Sequence, residues 1–96
     1  MRPILHSDLL QVARALLLLP QDARAGQCAA IFERAEAADR YVKRFRRLHP
    51  EWGNGSLWSA SQNWPKAPDP GLGNLDFCRC LSLVLAAVMA RRKQGS

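Results

Sequence analysis

Apolar residues recur along this chain at three- and four-residue intervals, the period that lines one face of a helix. The pattern is clearest between Asp22 and Leu48. Cys28, Ile31, Ala35, Ala38, Val42 and Phe45 make one stripe there, with Glu33, Glu36, Arg40, Lys43, Arg44 and Arg47 opposite. It predicts one long amphipathic helix over 21–48, the spine of the molecule. Ala35 and Ala38 are small enough to let a neighbour approach closely at mid-length. Pro50 pushes His49 out of helical geometry and sets the expected end near Leu48.

Two further helices follow from the same pattern. Leu9, Val12, Ala13, Leu16 and Leu17 predict a helix over 8–19, with Ser7 as its N-cap and Asp8 against the positive end of its dipole. Leu18 and Leu19 carry the apolar surface most of the way round. Pro20 stops this helix and begins the next, so the two meet at a tight antiparallel corner. Asn74 caps a last helix over 75–93, packed through Phe77, Leu81, Val84, Leu85 and Val88.

Between Pro50 and Asn74 the pattern breaks, and most of the prolines and glycines lie there. Ser56 caps a short helix over 57–63, which Pro65 ends. Trp52, Trp58 and Trp64 in this stretch argue for an ordered connection, because rings of that size are held against a core. No segment alternates apolar and polar residues as a half-buried strand does. The expectation is an all-α fold: one domain over 1–96, a compact bundle of three main helices plus one short helix in a Trp/Pro/Gly-rich connection.

Charge changes the picture more than composition does. The 96 residues carry a net charge of +6. Arg40, Lys43, Arg44, Arg46 and Arg47 form one cluster without an acid, and Arg91, Arg92 and Lys93 form a second. Elsewhere six basic residues face eight acidic ones. Such clusters favour anionic partners. Cys28, Cys78 and Cys80 are an odd number at apolar or boundary helical positions, which suits free thiols in a reducing cytoplasm. The longest apolar runs fall short of the about 20 residues that span a bilayer, and no signal peptide is apparent, so the expected location is cytoplasmic with no membrane partner.

The candidate chemistry is sparse. Arg40, Lys43, Arg44 and Arg47 share a broad face of the spine at a spacing that suits a row of phosphates. The bland alternative, a soluble helix decorating its exposed side, accounts for the same residues. Trp52, Trp58, Trp64, Arg91, Arg92 and Lys93 make a second candidate interaction surface, although core packing is the favoured reading of the tryptophans. A helix–turn–helix built on Ser59, Ser61, Gln62 and Asn63 fails, because its turn is far longer than that motif uses. Cys78 and Cys80, two apart on a helix, point to different sides and cannot grip one metal ion. Gly53-Asn54-Gly55-Ser56 is neither a nucleophile elbow nor a phosphate-binding loop. No catalytic residue, cofactor or metal site is expected. The spine's near-heptad stripe fits a seam inside the chain, or one between two copies in a homo-oligomer.

These readings converge on a non-enzymatic interaction or adaptor protein with a protein partner, acting through the basic helix face and the tryptophan-bearing loop. The alternative is a nucleic-acid-binding accessory protein in DNA packaging or transcription, contacting phosphates through the basic helix. In size, helicity and charge the chain is similar to small adaptor subunits, including those of viral-type DNA-packaging machines. The likeness transfers no site.

Overall fold

A computed structural model describes the backbone of residues 2–95 and the side chains of residues 2–92. Four helices follow one another: α1 (His6–Leu17), α2 (Gln21–Phe45), α3 (Leu57–Ala60) and α4 (Leu75–Gly95). Among the described residues there is no strand, so the fold is an all-α bundle of three long helices and one short one in a loop. At about 1.5 Å per residue, α2 runs most of the 42 Å length of the molecule. It is continuous through Ala38, and the other elements pack along it.

The core is a single cluster. Val12 and Leu16 of α1 meet Cys28, Ile31, Phe32 and Ala35 of α2, Leu57 and Ala60 of α3, and Phe77, Cys80 and Val84 of α4. The spine's stripe is therefore spent inside the chain, from Cys28 to Ala38. Its last two members turn outward: Val42 is half-buried and Phe45 is 48% exposed. Phe32 is fully buried, although it lies off the predicted stripe. On α4 the buried line runs through Phe77, Cys80 and Val84, so Leu85, expected in the packing stripe, is exposed. α1 has its most extensive contact with α4, which explains the apolar surface that wraps it.

α2 and α4 begin where expected, at Gln21 and Leu75, and the other helix ends have identifiable causes. α1 starts two residues early, at His6, because the carboxylate of Asp8 reaches back to accept the Leu5 N–H at 2.9 Å. Ser7, the expected cap, lies inside the helix. α1 stops at Leu17 because Arg24 captures its last carbonyls: Nε donates to Leu16 O at 3.0 Å and to Leu19 O at 3.1 Å. α2 ends at Phe45 rather than Leu48. Arg46 takes the left-handed conformation (φ 58°) and donates its N–H to Val42 O at 2.8 Å, closing the helix before Pro50 acts. α3 has its expected cap, Ser56 Oγ accepting from Ser59 N at 3.1 Å, but lasts only one turn. Lys66 then gathers the carbonyls of Ser61 and Trp64 at 2.8 and 3.2 Å and holds the chain in successive turns. α4 begins where Asn74 Oδ1 accepts from Phe77 N at 2.9 Å.

The long connection is ordered by specific ties. Arg14 and Ala67 exchange two bonds, Ala67 N to Arg14 O at 3.1 Å and Arg14 Nε to Ala67 O at 2.6 Å. Trp58 N donates to the buried Asp8 at 3.2 Å. These bonds pin the connection to α1 at two points.

The three thiols are free. Burial pushes the Cys28 pKa up to about 11, with the nearby Arg91 charge opposing, and burial also raises that of Cys80. Cys78 is only partly buried, and its Sγ donates to Leu72 O at 3.1 Å. Because the thiolate is the nucleophile, iodoacetamide at neutral pH is expected to label the folded protein at Cys78, with Cys28 and Cys80 protected until denaturant is added. Peptide mapping by mass spectrometry reads this directly. Comparable labelling of Cys28 would show that the core is looser than described.

Candidate functional site

At the end of α2 and the turn that follows, several arginines without ion-pair partners among the described residues lie beside exposed apolar side chains. The local fold is built from short-range bonds. His49 and Gly53 pair backbone to backbone at 2.8 and 3.1 Å, and His49 Nδ1 accepts the N–H groups of Glu51 and Trp52 at 3.0 and 3.1 Å. Asn54 Oδ1 accepts from Ser56 N and Ser59 Oγ, both at 3.0 Å. Gly53 and Gly55 have φ of 75° and 93°, a conformation that L-residues with a Cβ rarely adopt. Gly55 also lies directly on α2, where a Cβ would sit 2.8 Å from Asp39 Cα. At Asp39 the close approach is made by this loop's backbone, whereas the small residues Ala35 and Ala38 predict one by a neighbouring helix.

Above the turn runs a ladder of rings and one guanidinium. Tyr41 contacts Phe45 at 4.6 Å and, edge-on, His49 at 4.9 Å. His49 stacks on Trp52 at 4.6 Å with the planes 2° apart. Arg34 lies over both Trp52, at 5.6 Å, and Trp64, at 4.6 Å. Trp64 also donates its indole N–H to Gln27 at 3.2 Å. Gln27, Arg34 and Tyr41 are seven residues apart and share one face of α2, the face that receives the loop. That spacing was present in the sequence. What hid its meaning is that a Gln, an Arg and a Tyr do not read as a packing stripe.

The predicted basic face is rearranged. Lys43 pairs with Asp39 at 2.9 Å, so its charge is compensated. Glu36, one helical turn before Arg40, meets Arg91 of α4 at 2.8 Å, and Arg40 has no ion-pair partner among the described residues. Arg47 lies beyond the end of α2 and so does not share a helical face with Arg40 and Arg44. Arg40, Arg44, Arg46 and Arg47 are all exposed, and none has an ion-pair partner among the described residues. Phe45 and Leu48, 48% and 64% exposed, lie among them in the chain. Beside them a groove of about 610 Å³ follows α2, lined by Ala30, Glu33, Arg34, Ala37, Arg40 and Trp52.

The second predicted surface does not assemble. Trp52 and Trp64 are half-buried around Arg34, whereas Trp58 is exposed and lines a separate hollow with Arg2, Ser7 and Asn54. Arg91 is held by Glu36 and lies over Phe32 at 5.3 Å, within the α2–α4 contact. Arg92 is exposed, and the side chain of Lys93 lies outside the described residues. A further groove of about 660 Å³ between α2 and α4 is lined mainly by alanines together with Cys28, whose raised pKa makes it a poor nucleophile. Among the described residues, no three His, Cys, Asp or Glu side chains are placed to hold a metal ion, and no helix is long and apolar enough to cross a membrane.

Comparison with known proteins adds a family. Residues 2–88 match a family described as a domain of unknown function, DUF7742. No curated protein and no solved structure matches the chain.

Proposed function

The chain belongs to the DUF7742 family, a family of unknown function, and we propose that it is a non-enzymatic adaptor that binds an anionic partner through the basic end of α2 and the adjoining tryptophan-bearing turn. The observation that supports this reading most directly is the set of four exposed arginines, Arg40, Arg44, Arg46 and Arg47, close together in the chain and without an ion-pair partner among the described residues. Lys43 within the same run is paired with Asp39, while Arg24 and Arg91 are paired with Asp76 and Glu36. Desolvating a charge is costly, so an end kept free of intramolecular acids is ready to be neutralised by another molecule. The protein partner is the first reading. Nucleic acid is the second, favoured by the guanidinium row itself, since arginine matches phosphate as well as carboxylate.

Retention on heparin, a generic polyanion, tests the reading. The wild-type chain is expected to bind at low salt and to elute steeply as salt rises. The triple variant Arg40→Ala, Arg44→Ala, Arg47→Ala is expected to elute at much lower salt with its helical circular dichroism unchanged, because none of the three supports the core. Replacing exposed Arg92 is expected to change elution little. Equal retention of the wild-type and triple-variant proteins would place the anion-binding surface elsewhere.

A further inference from the structure

Resting on the anion-binding reading, we infer that the partner at this end is an acidic protein segment carrying an apolar anchor, rather than a nucleic acid or a lipid surface. Three observations bear on the choice. The aromatic faces that would stack bases are already occupied: Trp52 lies between His49 and Arg34, Trp64 lies against Arg34, and Phe45 is flanked by Tyr41 and the Arg44 guanidinium. Base stacking is therefore a poor source of affinity here. Second, the arginines are interleaved in the chain with Leu48, 64% exposed, and with Phe45, which keeps 48% of its surface exposed beside Tyr41 and Arg44. A phosphate backbone offers nothing to bury against these side chains, whereas a peptide with Leu or Phe among its acids does. Third, a shallow groove lined by Ala30, Glu33, Arg34, Ala37, Arg40 and Trp52 meets the basic end at Arg40. A chain segment fits into a groove, while a bilayer meets a convex or flat surface.

Charge also orients the occupant. Glu33 lines the same groove seven residues before Arg40, about two turns toward the N-terminal end of α2. Carboxylates in that half would meet a like charge. The acids of the segment therefore lie at the Arg40–Arg44–Arg47 end, with its apolar residues among them against Phe45 and Leu48, and its neutral residues follow the groove past Trp52.

Four labelled probes distinguish the alternatives in fluorescence anisotropy with the full chain. They are an acidic peptide with Leu and Phe among its Asp and Glu, the same peptide with Ser for its apolar residues, a short DNA duplex, and phosphatidylglycerol vesicles. The acidic–apolar peptide is expected to bind about tenfold more tightly than its serine counterpart, and more tightly than duplex or vesicles at matched salt. Leu48→Ser is expected to erase that tenfold preference while leaving the salt-sensitive binding of the serine peptide intact. Tighter binding of duplex or vesicles, or equal affinity for the two peptides, would overturn the inference while leaving the anion-binding reading standing. Binding of no probe, with no arginine-dependent retention on heparin, would remove both.

Discussion

Gly55→Ala is expected to lower stability by about 2–5 kcal/mol and to leave much of the protein unfolded at moderate temperature. Two costs coincide at this position. An alanine must adopt φ of 93°, outside the favoured regions for L-residues, and its Cβ must occupy space 2.8 Å from both Cα and Cβ of Asp39. The obstructing atoms belong to the backbone and first carbon of a helix in the core, so neither can move cheaply. Gly26 is the internal control. It lies within α2 with nothing inside 4 Å of a built Cβ, so Gly26→Ala is expected to stabilise by about 0.5–1 kcal/mol. Thermal unfolding followed by circular dichroism measures both, at about 4–8 °C per kcal/mol for a domain of this size. A Gly55→Ala protein as stable as wild type would mean that the loop does not lie on α2 as described.

Arg24→Met is the second large effect, expected to cost about 2–4 kcal/mol. The methionine keeps most of the aliphatic packing and removes only the guanidinium. That group is 9% exposed, receives Asp76 in a two-pronged ion pair at 2.8 and 2.9 Å, and satisfies the carbonyls that end α1. Without it Leu16 O keeps only backbone donors, Leu19 O loses the Arg24 bond, and the N-terminal turn of α4 loses its tie to the α1–α2 corner. Exposed Arg92 supplies the contrast, and Arg92→Ala is expected to fall within about 0.5 kcal/mol of wild type.

The same pair makes a pH prediction. Hydrogen bonds from Arg24 are the main cause holding the Asp76 carboxyl below its ordinary range; burial opposes them, and the charges of Arg24 and Arg79 add to the lowering. A carboxyl whose pKa is lower in the folded state contributes stability above its unfolded value of about 3.9, and that contribution is lost as pH falls through the lower folded value. Stability is therefore expected to hold from neutrality down to about pH 5 and then to fall. Asp76→Asn is expected to start lower at neutral pH and to show a shallower acid decline. Denaturant titrations at several pH values would separate the two curves, and parallel curves would remove Asp76 from the account.

Much of this architecture is legible in the residue pattern because it depends on periodicity and on local chemistry. The Cys28–Ala38 stripe, the proline corner at Pro20, the serine cap of α3 and the asparagine cap of α4 each follow from neighbours in sequence. Helix ends proved less legible, since they were decided by groups distant in the chain or by a conformation with no composition signal. Arg24 ends α1 from within α2, and Arg46 ends α2 by adopting a left-handed backbone that arginine rarely takes. The basic cluster was visible as a run of charges. Which of its members remain unpaired was not visible, because Glu36 is four residues from Arg40 in sequence yet pairs with Arg91, 55 positions away.

By itself, then, the amino-acid order determined that this chain makes three long helices around a shared apolar seam, with cationic charge gathered at two places. Helical periodicity and charge runs are properties of adjacent residues, so no partner is needed to read them. Only the tertiary structure decided which arginines stay uncompensated, that Trp52 and Trp64 enclose Arg34 instead of presenting open faces, and that Gly55 is where the loop touches the spine. Ion pairing, ring stacking and close backbone contact act through space over a few ångströms, and folding alone determines which residues come that near.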